Sequence, residues 1–193
     1  MAIEHLNNFR NEVVDLINAN ETNIATLQAE TSEMSAGAGF TGGTGTIYQT
    51  SVTNHGGLIT TRILVDLTGL RSTASGDIIG VDGTASVCHL GQITAAVNGT
   101  VVAGRIKCFE TPAGSTDDID LYSAAEGTGV EDTAISTLTE TQLVNAGAHS
   151  AGSEDILTAL PAADEYLYLV AGATLDADYT AGILMIELWG YSV

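Results

Sequence analysis

The chain has 193 residues and a formal charge of −19, made by 24 Asp and Glu against five Lys and Arg, so the imbalance is a shortage of cations and not an excess of acids. Arg10, Arg62, Arg71, Arg105 and Lys107 are too few to neutralise a run of phosphates, which argues against nucleic acid as a partner and against an anionic membrane surface. Apolar residues make up 45% of the chain, enough for a full core, and two Cys do not make a disulfide scaffold.

The opening segment MAIEHLNNFRNEVV has no basic stretch ahead of an apolar run, as a secretory signal has, and no segment is long and apolar enough to span a bilayer. The expectation is a protein made and kept in a cytoplasm, or released from one by lysis, so that Cys88 and Cys108 are reduced by default.

Residues 1–35 read as a coiled-coil helix. With Ile3 at heptad position a, the a positions are Ile3, Arg10, Ile17, Ile24 and Thr31, and the d positions are Leu6, Val13, Asn20, Leu27 and Met34; seven of the ten are apolar. At 1.5 Å per residue such a helix is about 45 Å long, and its narrow seam needs a partner. The residues expected to carry oligomerisation are Ile3, Leu6, Val13, Ile17, Asn20, Ile24 and Leu27. An amphipathic helix lying back on its own domain is the alternative. Residues 17–22 (INANET), with Ile at a and Asn at d, resemble the repeat of trimeric coiled coils in bacterial adhesins and phage fibres, which favours a homotrimer over a dimer.

Residues 36–45 form a glycine-rich stretch, expected to be a flexible joint. Gly37, Gly39 and Gly42 satisfy G-x-G-x-x-G, but here the motif follows a helix and precedes a strand. A dinucleotide site needs the reverse order.

From residue 46 to 193 the chain reads as an all-β body, an antiparallel β-sandwich of jelly-roll type. Runs rich in Val, Ile, Thr and Tyr recur at 47–53, 58–67, 77–81, 84–97, 100–109, 165–173 and 179–191. Asp82-Gly83 and Asn98-Gly99 are the dipeptides that type I′ hairpins prefer, so a three-strand meander is expected over 77–109. In that register His89 faces Cys108, and the two thiols point to opposite faces and stay unpaired. Residues 132–146 carry Ile135, Leu138 and Leu143 at loose helical spacing, which predicts a helix or a long loop over a sheet edge. The last two runs read as central strands buried on both sides.

No catalytic signature stands out, and no enzyme activity, cofactor or metal is expected. His89 beside Cys108 has the residue types of a nucleophile and base, but a packed core histidine accounts for it better, because no orienting acid is near. The run Thr116-Asp117-Asp118-Ile119-Asp120 has oxygen ligands for Ca²⁺ without the spacing of an EF-hand, and reads as a solvated loop. His5, His55 and His149 are scattered. Trp189, Tyr191, Tyr166 and Tyr168 are the candidates for an aromatic carbohydrate platform, although their apolar surroundings suggest core.

The stretches GTIYQTSVTNHGGLITTRILVDLTGLRSTASGDIIGVDGTA (45–85) and LPAADEYLYLVAGATLDADYTAGILMIELWGY (160–191) resemble virion structural proteins of marine tailed bacteriophages. Some of these are capsid decoration, or cement, proteins with a β-sandwich body arranged as trimers on the head. The resemblance implies a location on the capsid surface after synthesis in the host cytoplasm. Its implied partners are the major capsid protein and the chain's own copies, with neither nucleic acid nor membrane. A head- or tail-fibre protein that binds a receptor or carbohydrate is the alternative.

Overall fold

The computed structural model describes residues 13–15, 18, 34–41, 46–83 and 85–192. The chain divides into two compact units, Met1–Ser32 and Glu33–Val193. In the first, residues 13–15 and Asn18 are helical, and Val13 is exposed. Ile3, Leu6, Ile17, Asn20, Ile24 and Leu27 lie outside the described residues.

The second unit is all-β, and every strand pair in it is antiparallel among the described residues. Its larger sheet has five strands in the order β1 (Tyr48–His55), β2 (Leu58–Asp66), β11 (Ala181–Tyr191), β5 (Thr100–Ala113) and β8 (Glu154–Ile156). A second sheet has four: β4 (Gly91–Gln92), β9 (Tyr166–Ala171), β6 (Ile119–Ala124) and β7 (Glu140–Val144). A short ribbon pairs β3 (Arg71–Ser72) with β10 (Ala177–Asp178). One apolar core joins the sheets, with Ile63, Ile106, Leu184 and Ile186 from the first and Ile119, Leu121, Leu167 and Leu169 from the second. A smaller cluster of Ile78, Cys88, Ala124, Ile135, Tyr168 and Val170 covers the far face of β9.

Alternation explains the strands that sequence reading found. In β2, Ile59, Thr61, Ile63 and Val65 are buried while Leu58 and Arg62 are exposed, the period of a strand with one face on a core. The β1–β2 hairpin turns on Gly56 and Gly57, both at positive φ (63° and 93°), with His55 paired to Leu58. Two successive positive φ values are what a type I′ turn demands, and glycine meets them without strain.

The expected meander over 77–109 is absent. Asn98-Gly99 ends a single helical turn, α2 (Ala95–Asn98), instead of turning a hairpin. Thr94 caps it by accepting from the Val97 amide (3.3 Å), and the buried Asn98 side chain accepts from the Thr94 amide and donates to Thr61 Oγ1, both at 2.9 Å. Gly99 takes φ 66° as the helix stop. The cap and the buried amide network outweigh the hairpin preference of the dipeptide, and β5 pairs with β11 and β8. Residues 77–81 form isolated bridges only, and Asp82-Gly83 turns a loop.

Residues 132–146 are neither a helix nor a loop over the sheet. Ile135–Thr137 make one 3-10 turn, and Glu140–Val144 is itself the edge strand β7, paired with β6. Asp132 sits at φ 59° and caps no helix. Residues 36–41, the first part of the expected joint, pack on the β body. There α1 (Ala38–Thr41) buries Phe40, and the Gly37 and Gly39 amides donate to His89 O and Val87 O at 2.8 Å. A Cβ on Gly37 would lie 2.2 Å from Val87 O, and one on Gly39 2.1 Å from Ser86 O. These glycines permit close backbone approach.

Candidate functional site

β11 is central in its sheet, yet only one of its faces is closed. Leu184, Ile186 and Leu188 point into the core, while on the other side Ile183, Met185 and Trp189 are half-buried and Tyr191 is exposed. The expectation of burial on both sides therefore holds for β9 and fails for β11.

On that open face the register builds an ionic cluster. Glu187 stands directly opposite Arg62 of β2 and Arg105 of β5, and directly opposed residues share a face. Arg62 Nε donates to Glu187 Oε1 at 2.7 Å; Arg105 donates to Oε2 through Nε at 2.9 Å and Nη2 at 2.6 Å. Arg105 Nη1 reaches Glu154 Oε2 at 2.7 Å, and Lys107 Nζ lies 3.7 Å from the same oxygen. The Arg105 guanidinium also lies 5.4 Å from the Trp189 ring centroid, within cation–π range. Glu187 is only 2% exposed, whereas the Arg62 side chain is 51% exposed. Burial pushes the Glu187 carboxyl up, but hydrogen bonds and charge from the two arginines outweigh it and hold the group below its usual range.

A second cluster surrounds Arg71 of β3, which pairs with Asp176 (2.7 Å), Asp178 (3.2 Å) and Asp82 (3.6 Å). A cavity of about 290 Å³ beside it is lined by Arg71, Thr73, Asp82, Glu131, Asp132 and Asp176. Burial first, and then the nearby Asp132 and Asp82, push Glu131 up to about 7. Its Oε1 is buried without a hydrogen-bond partner among the described residues.

The proposed pairing of His89 with Cys108 does not form. His89 packs against Tyr166 with ring centroids 4.9 Å apart and planes tilted by 55°, in a cavity of about 310 Å³ with Met34, Gln92 and Thr94. Cys108 sits in β5 opposite Leu184 and donates to Glu110 O at 3.1 Å. Burial lowers the proton affinity of His89 and raises the pKa of both thiols, Cys88 to about 11. Such thiols are poor nucleophiles. Both are free, Cys88 in the smaller cluster and Cys108 in the main core.

The acidic run 116–120 is a solvated loop only in part, with Asp117 exposed. Thr116, Ile119 and Asp120 are buried, and β6 begins at Ile119. Asp120 accepts from the Ala146 amide and from Gln142 Nε2, both at 3.0 Å; burial pushes its carboxyl up and these donors offset part of that. His149 is buried with Nε2 2.8 Å from Ile119 O, while His55 is exposed at the end of β1 and His5 lies outside the described residues. Among the described residues no group of three or more His, Cys, Asp or Glu is placed to hold a metal ion.

Of the aromatic candidates, Tyr168 is core, its hydroxyl donating to Glu126 O at 2.8 Å. Trp189 and Tyr191 are not core: both lie on the open face. Sequence reading missed Glu187 as the hub of that face. The available signal was a lone acid in the apolar run ILMIELWG, and it carries meaning only once Arg62 and Arg105 are known to flank it. The chain matches no family model, and no curated protein or solved structure is detectably similar to it.

Proposed function

We propose that the protein is a bacteriophage virion structural protein, a capsid decoration or cement protein that stabilises the head as a homotrimer. Its body would be a jelly-roll-like sandwich joined to an N-terminal coiled coil. The observation that carries this reading is the pairing, in one chain, of a heptad-patterned segment with a compact two-sheet β body. The resemblance of residues 45–85 and 160–191 to marine phage virion proteins supports it. In this reading three chains join through Ile3, Leu6, Val13, Ile17, Asn20, Ile24 and Leu27, and the trimer bridges neighbouring major capsid subunits at a symmetry position of the shell, adding contact area against internal pressure. A capsid exterior faces salt water, which screens the chain's −19 within a Debye length of about 3 to 10 Å. Light scattering at micromolar concentration tests the assembly: a trimeric mass is expected, and a monomer overturns the reading. Cryo-microscopy of the virions then locates the protein, with density on the head expected.

A second reading, a head- or tail-fibre protein that binds a receptor or carbohydrate, is favoured by one observation, the placement of Trp189 and Tyr191 on an open face. Oligosaccharide titration followed by the fluorescence of Trp189, the chain's single tryptophan, separates the two readings. Saturable quenching supports the fibre role; an unchanged spectrum supports the structural one.

A further inference from the structure

We propose that the open face of the five-stranded sheet is a self-association face whose occupant is a second copy of this chain, an inference that rests on the homo-oligomeric reading above. Three of the chain's five cations (Arg62, Arg105 and Lys107) and its only Trp lie on this face. Around them stand Leu58 and Ile156, which are 68% and 60% exposed, with Phe109 and Tyr191 beside them. Aromatic residues, Met and Arg are what protein interfaces accumulate, and here they surround an ion-paired centre whose charges already satisfy one another.

Charge selects the occupant. The face sets Arg62, Arg105 and Lys107 against Asp66, Glu110, Glu154 and Glu187, a local sum of −1 on a chain that carries −19. Two such chains repel one another, and the repulsion is least where the local charge nearly cancels. Among the described residues Arg62 engages only its Nε, so its terminal amino groups project unspent from a half-exposed side chain. Lys107 makes one ion pair among the described residues, at 3.7 Å to Glu154. A neighbouring copy, with 24 acids on the chain, supplies the carboxylates these donors lack. Size agrees as well. Four strands of 8 to 14 residues and the three-residue β8, spaced by about 4.8 Å and rising about 3.3 Å per residue, project on the order of 700 Å², close to one side of a standard interface.

The test uses the full chain and its single tryptophan, which reports on this face and not on the heptad segment. Acrylamide quenching of Trp189 fluorescence is measured from nanomolar to micromolar protein, beside light scattering, for the wild type and for Leu58→Glu and Ile156→Glu. Both positions are exposed, so the fold tolerates the change. The expected result is that Trp189 is shielded in the assembled wild type and at least about two-fold more quenchable in each variant. Association should weaken by about 100-fold, because a buried unpaired carboxylate costs several kcal/mol. Equal quenching of wild type and variants overturns the proposal: with a trimeric mass the trimer stands without this face, and with a monomeric mass both readings fail. Shielding in a monomer places the cover within the chain, and shielding only after addition of oligosaccharide makes the occupant a glycan; either overturns the proposal too.

Discussion

β9 and β11 read alike, as near-continuous apolar runs in the last thirty residues of the chain, yet β9 is buried on both faces and β11 on one. The difference lies in what packs outside each sheet. Beyond β9 the chain returns through Glu126 to Leu138: the Gly129 amide donates to the Tyr168 hydroxyl (3.3 Å), and Ile135 and Leu138 close the smaller apolar cluster. Outside β11 no described segment forms such a cluster, and the exposed side is held by an ionic register, Arg62–Glu187–Arg105, in place of a second core. The apolar count of a strand therefore reports that it is central. Whether its second face is covered depends on a loop elsewhere in the chain.

If β9 owes its stability to two cores, truncation there is the costliest single change. Tyr168→Ala removes a fully buried ring and the hydroxyl that bonds Glu126 O and the Gly129 amide, with an expected loss of about 3–5 kcal/mol in urea unfolding. A smaller loss should follow on the open face. Glu187→Gln leaves two guanidiniums without their carboxylate, but both still reach water, so about 1–3 kcal/mol is expected by the same measurement.

The two clusters also titrate in opposite directions. Glu187 is held below its ordinary 4.5, so its contribution is present above that pH and is lost as the pH falls through the lowered value; melting temperature should drop in acid, and the Glu187→Gln variant should lose that dependence. Glu131 is raised from 4.5 to about 7, so stability is fullest below 4.5 and declines as the pH rises through 7. Glu131→Gln should therefore stabilise the protein at pH 8, by about 1–2 kcal/mol, and be neutral at pH 4. The smallest effect belongs to the open face itself: in protein diluted until it is monomeric, Leu58→Ser should stay within about 0.5 kcal/mol of wild type, and a larger loss in that monomer would mean that the face is covered within the chain.

Much of the larger sheet was legible in the sequence because its strands alternate. The runs at 47–53, 58–67, 100–109 and 179–191 became β1, β2, β5 and β11, with β1 and β5 running further at their C-terminal ends and β2 and β11 slightly shorter. Less of the second sheet could be read. β6 hides behind the acidic run, since Asp120 is satisfied by groups 22 and 26 residues away that no local window contains. The loosely helical spacing of Ile135, Leu138 and Leu143 arises from a 3-10 turn followed by an edge strand. Asn98-Gly99 misled for the same reason: its turn preference is local, whereas Asn98 is committed to Thr61 of β2.

What the residues determine by themselves is the all-β character of the body, the shortage of cations and the heptad pattern of residues 3–34, because composition and periodicity are local properties of the chain. Which strands are neighbours, which faces close and where the few cations gather were decided by tertiary structure. Arg62, Arg105 and Glu187 are separated by up to 125 residues, and only the antiparallel register of β2, β11 and β5 brings them onto one face. Ion pairing and burial act across space, so the site arises from the pairing of strands and from no motif.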